Sequence, residues 1–455
     1  MSEGSARQAT FGEVFAVQEF RVLFGSFTLL VAGDTVKMLA FSVLVYGRTG
    51  SAGLSALAYM SGFLPYVIGG TFLLSLADRV RPRRLMIVGE LVRVAVCVAL
   101  GFAGLPVWAM LLLVVVTGAL SPVFGAARTA TLPELLPGDA FVLGRSVLTV
   151  TSAGAQIGGL AVGGAVLTVA GPGGALLITA ALSAVGALVL RLGLPDRPAR
   201  ASLVRDATPP GAQAPRDQAP AREAVRARNP VRATLRVNRL LLADRRVRGL
   251  LLADRRVRGL LLAAWVPMMF VAGAEAVVVP YLSERGEPSQ AGLVLAAFAA
   301  GMAAGDFVVG RFAAPALRER MSFPLALAAG APMIGFAARP GLAWCLALAV
   351  LTGLCLAYNL GLQRRFVDAV PEDERGQAFG LLTSGQMTTQ GMGAALAGLL
   401  AEMVPAHLAI ALTGAGGLLG ALALVRHLRP ERHPIHPAPP RAQPDSLQTG
   451  VAPGP

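Results

Sequence analysis

Charge is scarce in this chain. Only 15% of its 455 residues are Asp, Glu, Lys or Arg, against about a quarter in an ordinary soluble domain. So few charges cannot clothe a water-facing surface, and with 55% hydrophobic residues the chain reads as one that crosses a bilayer many times. Lysine is scarcer still, Lys37 being the only one. Cysteine occurs three times, as Cys97, Cys345 and Cys355, each inside an apolar run. That usage fits small buried hydrophobes and argues against a disulfide or metal site. The four histidines, His407, His427, His433 and His436, have no partner at metal-ligand spacing, so no metal or other cofactor is expected. No nucleophile–base pair stands out in any apolar run, which argues against an enzyme. The opening "MSEGSARQATFGEVFAVQEFR" is polar and mixed in charge, without the short apolar core of a cleavable signal peptide.

Long uncharged runs are present instead, such as "PVWAMLLLVVVTGALSPVFGA" from Pro106, near the roughly 20 residues that a bilayer crossing needs. Length and pattern predict twelve spans, near 22–46, 54–77, 85–103, 106–126, 143–169 and 174–193, then 260–283, 290–312, 322–337, 341–362, 377–402 and 405–426. The expected fold is an all-α integral membrane protein of two six-helix, pseudo-symmetric halves. Its organisation is an N-terminal segment 1–21, a first half 22–193, a central loop 194–259, a second half 260–426 and a disordered tail 427–455.

The net charge of +14 is concentrated. Between Pro195 and Gly259 stand 16 arginines against 6 acids, leaving +10 in one connecting segment. Its middle, "ATPPGAQAPRDQAPARE", has no aromatic residue to stack on a base, so nucleic acid is not the expected partner. Alternate loops are basic: "ADRVRPRR" after span 2, the arginine-rich segment after span 6, and "RFAAPALRER" after span 8. By the positive-inside rule both termini and the central loop are cytoplasmic, and the abundance of arginine suggests a bacterial cell membrane. Residues 240–259 repeat "LLLADRRVRG" exactly. Ten residues do not make whole helical turns, so the second copy is rotated by roughly 80° from the first in a continuous helix. No single amphipathic face runs through both. The segment can rest on anionic lipid headgroups, and tolerance of a recent duplication in a long loop explains it better than a dedicated role.

The halves repeat each other faintly. An offset of 234 places Pro137 on Pro371, Gln156 on Gln390, Gly159 on Gly393 and Gly164 on Gly398. Six spans, a long loop and six more in the same orientation form a parallel repeat, the plan of transporters whose halves rock about a midplane site.

The stretch "LSLADRVRPRR", residues 74–84, resembles the Gly-x-x-x-Asp-Arg-x-Gly-Arg-Arg loop of the major facilitator superfamily. Asp78, Arg79 and Arg83 fit, Arg84 adds a basic residue, and Leu74, Arg81 and Pro82 depart from the pattern. The resemblance implies that Asp78 docks at a helix N-terminus of the other half and latches the cytoplasmic side. Glu374, Arg375 and Gly376 in "EDERGQAFG" are then the receiving end, since a carboxylate is stabilised at the positive end of a helix. A topogenic basic loop is the plainer alternative. Glu90 and Arg93, three apart, read as support for this latch. "SAGAQIGG" in span 5 is similar to the Gly-Pro-x-x-Gly-Gly element of proton-coupled drug exporters, with Ala155 in place of the proline, although close helix packing by small residues accounts for it better.

Ionisable groups within spans are expensive and informative. Asp34 lies in the middle of span 1, with Lys37 one turn on. The pair is either a neutralised structural bridge or a proton or substrate site. Sliding by 241 places Glu275 of span 7 on Asp34, and two acids at matched depth could face one cavity. Burial disfavours a charged carboxylate, which lets it exchange a proton near neutral pH. Asp306 in span 8 is a further candidate, and Gln156 and Gln390 could hydrogen-bond a substrate or bridge helices. Asp34 leads this order, followed by Glu275, Lys37 and Asp306. The resemblance is nearest to the proton-coupled multidrug or macrolide efflux branch. It implies a monomeric drug:proton antiporter driven by the proton-motive force and moving amphipathic small molecules. The alternatives are a dedicated exporter or permease of one metabolite, such as a siderophore or a self-made antibiotic, and a non-transporting membrane sensor.

Overall fold

The computed structural model describes residues 10–61, 80–137, 139–197, 255–370 and 375–428. Among these residues every regular element is helical, as a bilayer requires of a chain that is not a closed barrel. A short α1 (Phe11–Ala16) leads in, its first turn closed by a capping box between Thr10 and Glu13. Then come α2 (Gln18–Thr49), α3 (Ala52–Met60), α4 (Pro82–Phe102), α5 (Val107–Leu135) and α6 (Asp139–Gly193). The second half holds α7 (Arg255–Glu284), α8 (Gln290–Phe312), α9 (Pro315–Ile334), α10 (Leu342–Cys355), α11 (Tyr358–Ala369), α12 (Arg375–Met403), α13 (Ala406–Ala423) and a terminal turn α14 (Val425–Leu428). Nine helical stretches among the described residues are long and apolar enough to cross a membrane.

Glycine and proline set the turns. Gly50 (φ 64°) ends α2 in the left-handed conformation, and the Ser51 hydroxyl accepts from the Leu54 N–H to start α3. Within α6 the single residue Gly171 (φ 65°, ψ 179°) interrupts the helix before Pro172. Only glycine takes that φ without strain, and an extended ψ is what a residue before proline favours. The α6 segment therefore crosses twice, supplying spans 5 and 6.

Several boundaries differ from the sequence reading. The α5 helix runs to Leu135, more than two turns beyond the expected end near 126, and so carries Arg128 inside a helix. The α7 helix starts at Arg255, so the last residues of the duplicated decapeptide are helical rather than loop. The rest of the duplication, and most of the central loop, lies outside the described residues.

The halves meet through small residues. Near one end of the bundle, the end holding Gly50 and Gly286, a Cβ on Gly292 of α8 would stand 2.5 Å from the Leu160 carbonyl and 2.8 Å from the Gly164 Cα of α6. In the pseudo-symmetric place, a Cβ on Gly398 of α12 would stand 2.9 Å from the Ala56 Cβ and 3.1 Å from the Gly53 Cα of α3. Gly164 and Gly398, paired by the sequence repeat, thus both serve contact between halves. The other repeated pair works inside each half, Gly159 against Ala32 and Gly393 against Met269. Close packing is the role the geometry gives to Gly159, the last glycine of "SAGAQIGG".

The Gly292→Ala substitution should lower the thermal unfolding midpoint of detergent-purified protein, at a cost of about 1–3 kcal/mol for forcing a methyl against backbone. Gly154, whose Cβ would meet nothing within 4 Å, is the control: Gly154→Ala should be neutral or stabilising, since alanine is the better helix former.

Candidate functional site

The first half carries a chain of charges that begins on α2. Lys37 Nζ donates to Asp34 Oδ1 at 2.6 Å, one helical turn away. Arg93 of α4 donates through Nε to the same oxygen at 3.0 Å, and through Nη1 to Glu90 Oε2 at 2.7 Å. Arg128 of α5 follows, with Nη2 3.8 Å from Glu90 Oε1 and its guanidinium 5.2 Å from the centre of the Phe27 ring. Its Nε is buried without a partner among the described residues. Glu90 is only 2% exposed, whereas the Asp34 side chain is 38% exposed and faces open space. Three cations and two carboxylates therefore form one network across three helices.

Asp34, Lys37 and Arg93 line a cavity of about 470 Å³ between the halves. Gln156 of α6 and Thr383 and Met387 of α12 help to close it, and Met38, Phe41 and Phe124 give it apolar wall. Tyr59 of α3 also lines it. The Tyr59 hydroxyl donates across the boundary between halves to Glu275 Oε1 of α7 at 2.9 Å. Glu275 is half-buried between Ala274 and Ala276, both fully buried, and no cation reaches its carboxylate among the described residues. Near the Gly50 end, Glu402 Oε1 of α12 accepts from the Ser51 hydroxyl at 2.5 Å and the Gly53 N–H at 2.7 Å. The bonds to Glu275 and Glu402 tie one half to the other.

The sequence candidates are distributed unevenly over this site. Asp34 and Glu275 share neither a place along their helices nor a neighbourhood: Asp34 stands 15 residues before the end of α2 and turns to cations of its own half, whereas Glu275 stands 9 before the end of α7 and turns to a hydroxyl of the other. Arg93 and Glu90, read from sequence as latch supports, are joined instead to the cavity carboxylate. Gln156 lines the cavity, whereas Gln390 is buried in helix packing at 7% exposure. Asp306 lies apart, on a smaller cavity of about 200 Å³ within the second half, beside Asn359, Gln363 and Gln386. Of the latch residues, Asp78, Arg79 and Glu374 lie outside the described residues, while Arg375 and Gly376 open α12. Arg83 donates to the Arg191 carbonyl, and Arg84 lies 3.8 Å from Asp196, so both hold the end of α6 in their own half. Tyr59 and Arg128 escaped the sequence reading. A lone arginine just past an apolar run gives little warning of burial. The available sign that α5 continues was its company, since Ala126, Ala127 and Ala130 surround Arg128 and alanine is the best helix former.

The model of the Major Facilitator Superfamily matches residues 23–286 and 260–452. No curated protein matches the chain in sequence. Among solved structures it is similar to a mutant of the nucleoside transporter NupG, with 14% identity, TM-score 0.64, and coverage of 90% of this chain and 99% of that one. It is also similar to a POT family transporter in complex with thioalcohol conjugated peptide, with 12% identity, TM-score 0.61, and coverage of 90% and 95%. The partially occluded inward open xylose transporter XylE from E. coli matches at 14% identity and TM-score 0.58, over 91% and 97%.

Removing the buried carboxylate should be the costliest change in the charge network. Glu90→Gln leaves Arg93 and Arg128 short of a counter-charge and is expected to destabilise by about 3–5 kcal/mol. Asp34→Asn, at a more exposed position, should cost less. The reactivity of the buried thiols of Cys97, Cys345 and Cys355 during a thermal ramp gives the measurement, the Glu90 variant exposing them at the lower temperature.

Proposed function

Because the chain belongs to the Major Facilitator Superfamily, and is therefore a membrane transporter and not an enzyme, we propose that it is a proton-coupled exporter of amphipathic small molecules that works by alternating access. The observation that carries this reading is the contact between Tyr59 and Glu275. Glu275 sits among apolar residues with a hydroxyl as its partner, so its ionised form lacks the counter-charge that Asp34 enjoys. Proton uptake from the cavity, by way of the Tyr59 hydroxyl, converts a charge-assisted hydrogen bond into a weaker neutral one. Since that bond joins the halves, protonation biases their rocking. Asp34 is the fixed member of the pair, its charge held by Lys37 and Arg93.

The chain sits in a bacterial cytoplasmic membrane as a monomer on this reading, with the Gly50 end outside, because the basic loops lie at the other end. Cytoplasmic basic segments then rest on anionic lipid. In this orientation the glycine contacts and the Glu402 bonds close the outer face, which supports a cavity that loads from the cytoplasm. Apolar walls beside a few polar groups suit an amphipathic guest. The fixed charges of the cavity favour, as a second reading, a dedicated exporter of one metabolite. Competition among unrelated dyes separates the two.

Reconstituted in liposomes under an imposed pH gradient, the wild type should move lipophilic dyes drawn from a panel of anionic, neutral and cationic members. Glu275→Gln should lose gradient-driven movement yet retain dye exchange without a gradient, and Tyr59→Phe should slow the driven movement about tenfold, the worth of one charge-assisted hydrogen bond. Driven movement that survives Glu275→Gln unchanged would remove Glu275 from the coupling step.

A further inference from the structure

We infer that the cavity selects organic anions: amphipathic molecules carrying a carboxylate, sulfonate or phosphate on an apolar body, with Lys37 and Arg93 as the anchor for the acidic group. This inference rests on the transporter reading above and deepens it by naming the chemistry of the guest.

The charges in and around the cavity do not balance. Lys37, Arg93 and Arg128 face Asp34 and Glu90 in a single connected network, so one positive charge is left without a resident counter-charge. Asp34 is the one carboxylate among the described residues that line the cavity, and its Oδ1 already accepts from both Lys37 and Arg93. A cationic guest would find Asp34 Oδ1 already shared by two tethered cations, with only Oδ2 left to approach and both cations beside it. It would also raise the local excess from one positive charge to two, which repulsion between like charges penalises. An anionic guest brings the sum to zero when Glu275, behind Tyr59, is in its protonated form.

The donors for such a guest are in place. An ammonium carries three N–H donors, and Lys37 spends one on Asp34 while forming cavity wall. Arg93 engages Nε and Nη1 and has no bonded partner at Nη2 among the described residues. The buried, unpartnered Nε of Arg128 sits behind Glu90 and adds to the positive potential from the second layer. Met38, Phe41, Phe124 and Met387 offer the surface for an apolar body. Thr383 and Met387 bring the second half into the lining, so a guest of this kind touches both halves.

The test measures binding alone, without movement. The full chain in neutral maltoside micelles is titrated calorimetrically with 1-naphthylacetate, the neutral 1-naphthylacetamide and the cationic 1-naphthylmethylamine, each against empty micelles. The anion should bind at least tenfold tighter than the cation, as charge-assisted contacts predict. Lys37→Gln should weaken the anion about tenfold and leave the amide unchanged, while Lys37→Arg should restore the preference. The inference is overturned if the cation binds as tightly as the anion, if the preference persists in both Lys37→Gln and Arg93→Gln, or if none of the three probes binds. A protein that binds the anion with this pattern yet moves no dye under a gradient would overturn the exporter proposal and leave the anion site standing.

Discussion

A charge taken into a bilayer needs its counter-charge in the same place, and the first half of this protein is organised around that requirement. Glu90 cannot be buried at the depth of α4 unless cations arrive with it. Arg93 arrives from the next turn of the same helix and Arg128 from α5, and Arg93 in turn reaches Asp34 on α2. Three helices are thereby fixed in rotation as well as position, because a turn of any of them by one residue strands an ion. The cavity inherits its polar wall from that arrangement. Its chemistry follows from how the half is held together.

Between the halves the rule is the opposite. Contact there depends on the absence of side chains, at Gly164 with Gly292 and at Gly53 with Gly398, together with sparse hydrogen bonds on the Glu275 and Glu402 carboxylates. Apolar packing of small residues is the usual adhesive between helices in lipid, where no hydrophobic gain is available. Among the described residues such a boundary has few specific bonds to break, which suits the rocking of the halves proposed above. Within the first half, ionic ties hold the helices against such a motion.

Much of this was legible in the sequence. The spans show in uncharged runs near the length of a bilayer, the parallel repeat in matched Gly and Gln positions, and the Asp34–Lys37 tie in the three-residue spacing of a helix face. The partners of those groups were not legible. Helical periodicity says which residues share a face, not which neighbour that face meets, so Arg93 read as part of a cytoplasmic latch although it joins Asp34. Arg128 was hidden because a span was expected to end when hydropathy fell, near 126, whereas α5 continues as a helix to Leu135. Glu275 fell on Asp34 under an offset of 241 residues, but a shared place in a sequence repeat does not fix which neighbours a side chain meets. The latch itself falls largely on residues whose structure is not described.

The two glycine contacts both straddle the boundary, in pseudo-symmetric places at the same end of the bundle, so for the rocking proposed above a line drawn through them would work as an axle. From Gly164 the first leg of α6 extends 25 residues back to Asp139, roughly 37 Å at the rise of an α-helix. A tilt of about 10° around that axle swings the far end by about 6 Å while the atoms near the axle scarcely move. Leverage of this kind turns a loss of a few tenths of an ångström of packing at one face into an aperture wide enough for a small molecule at the other.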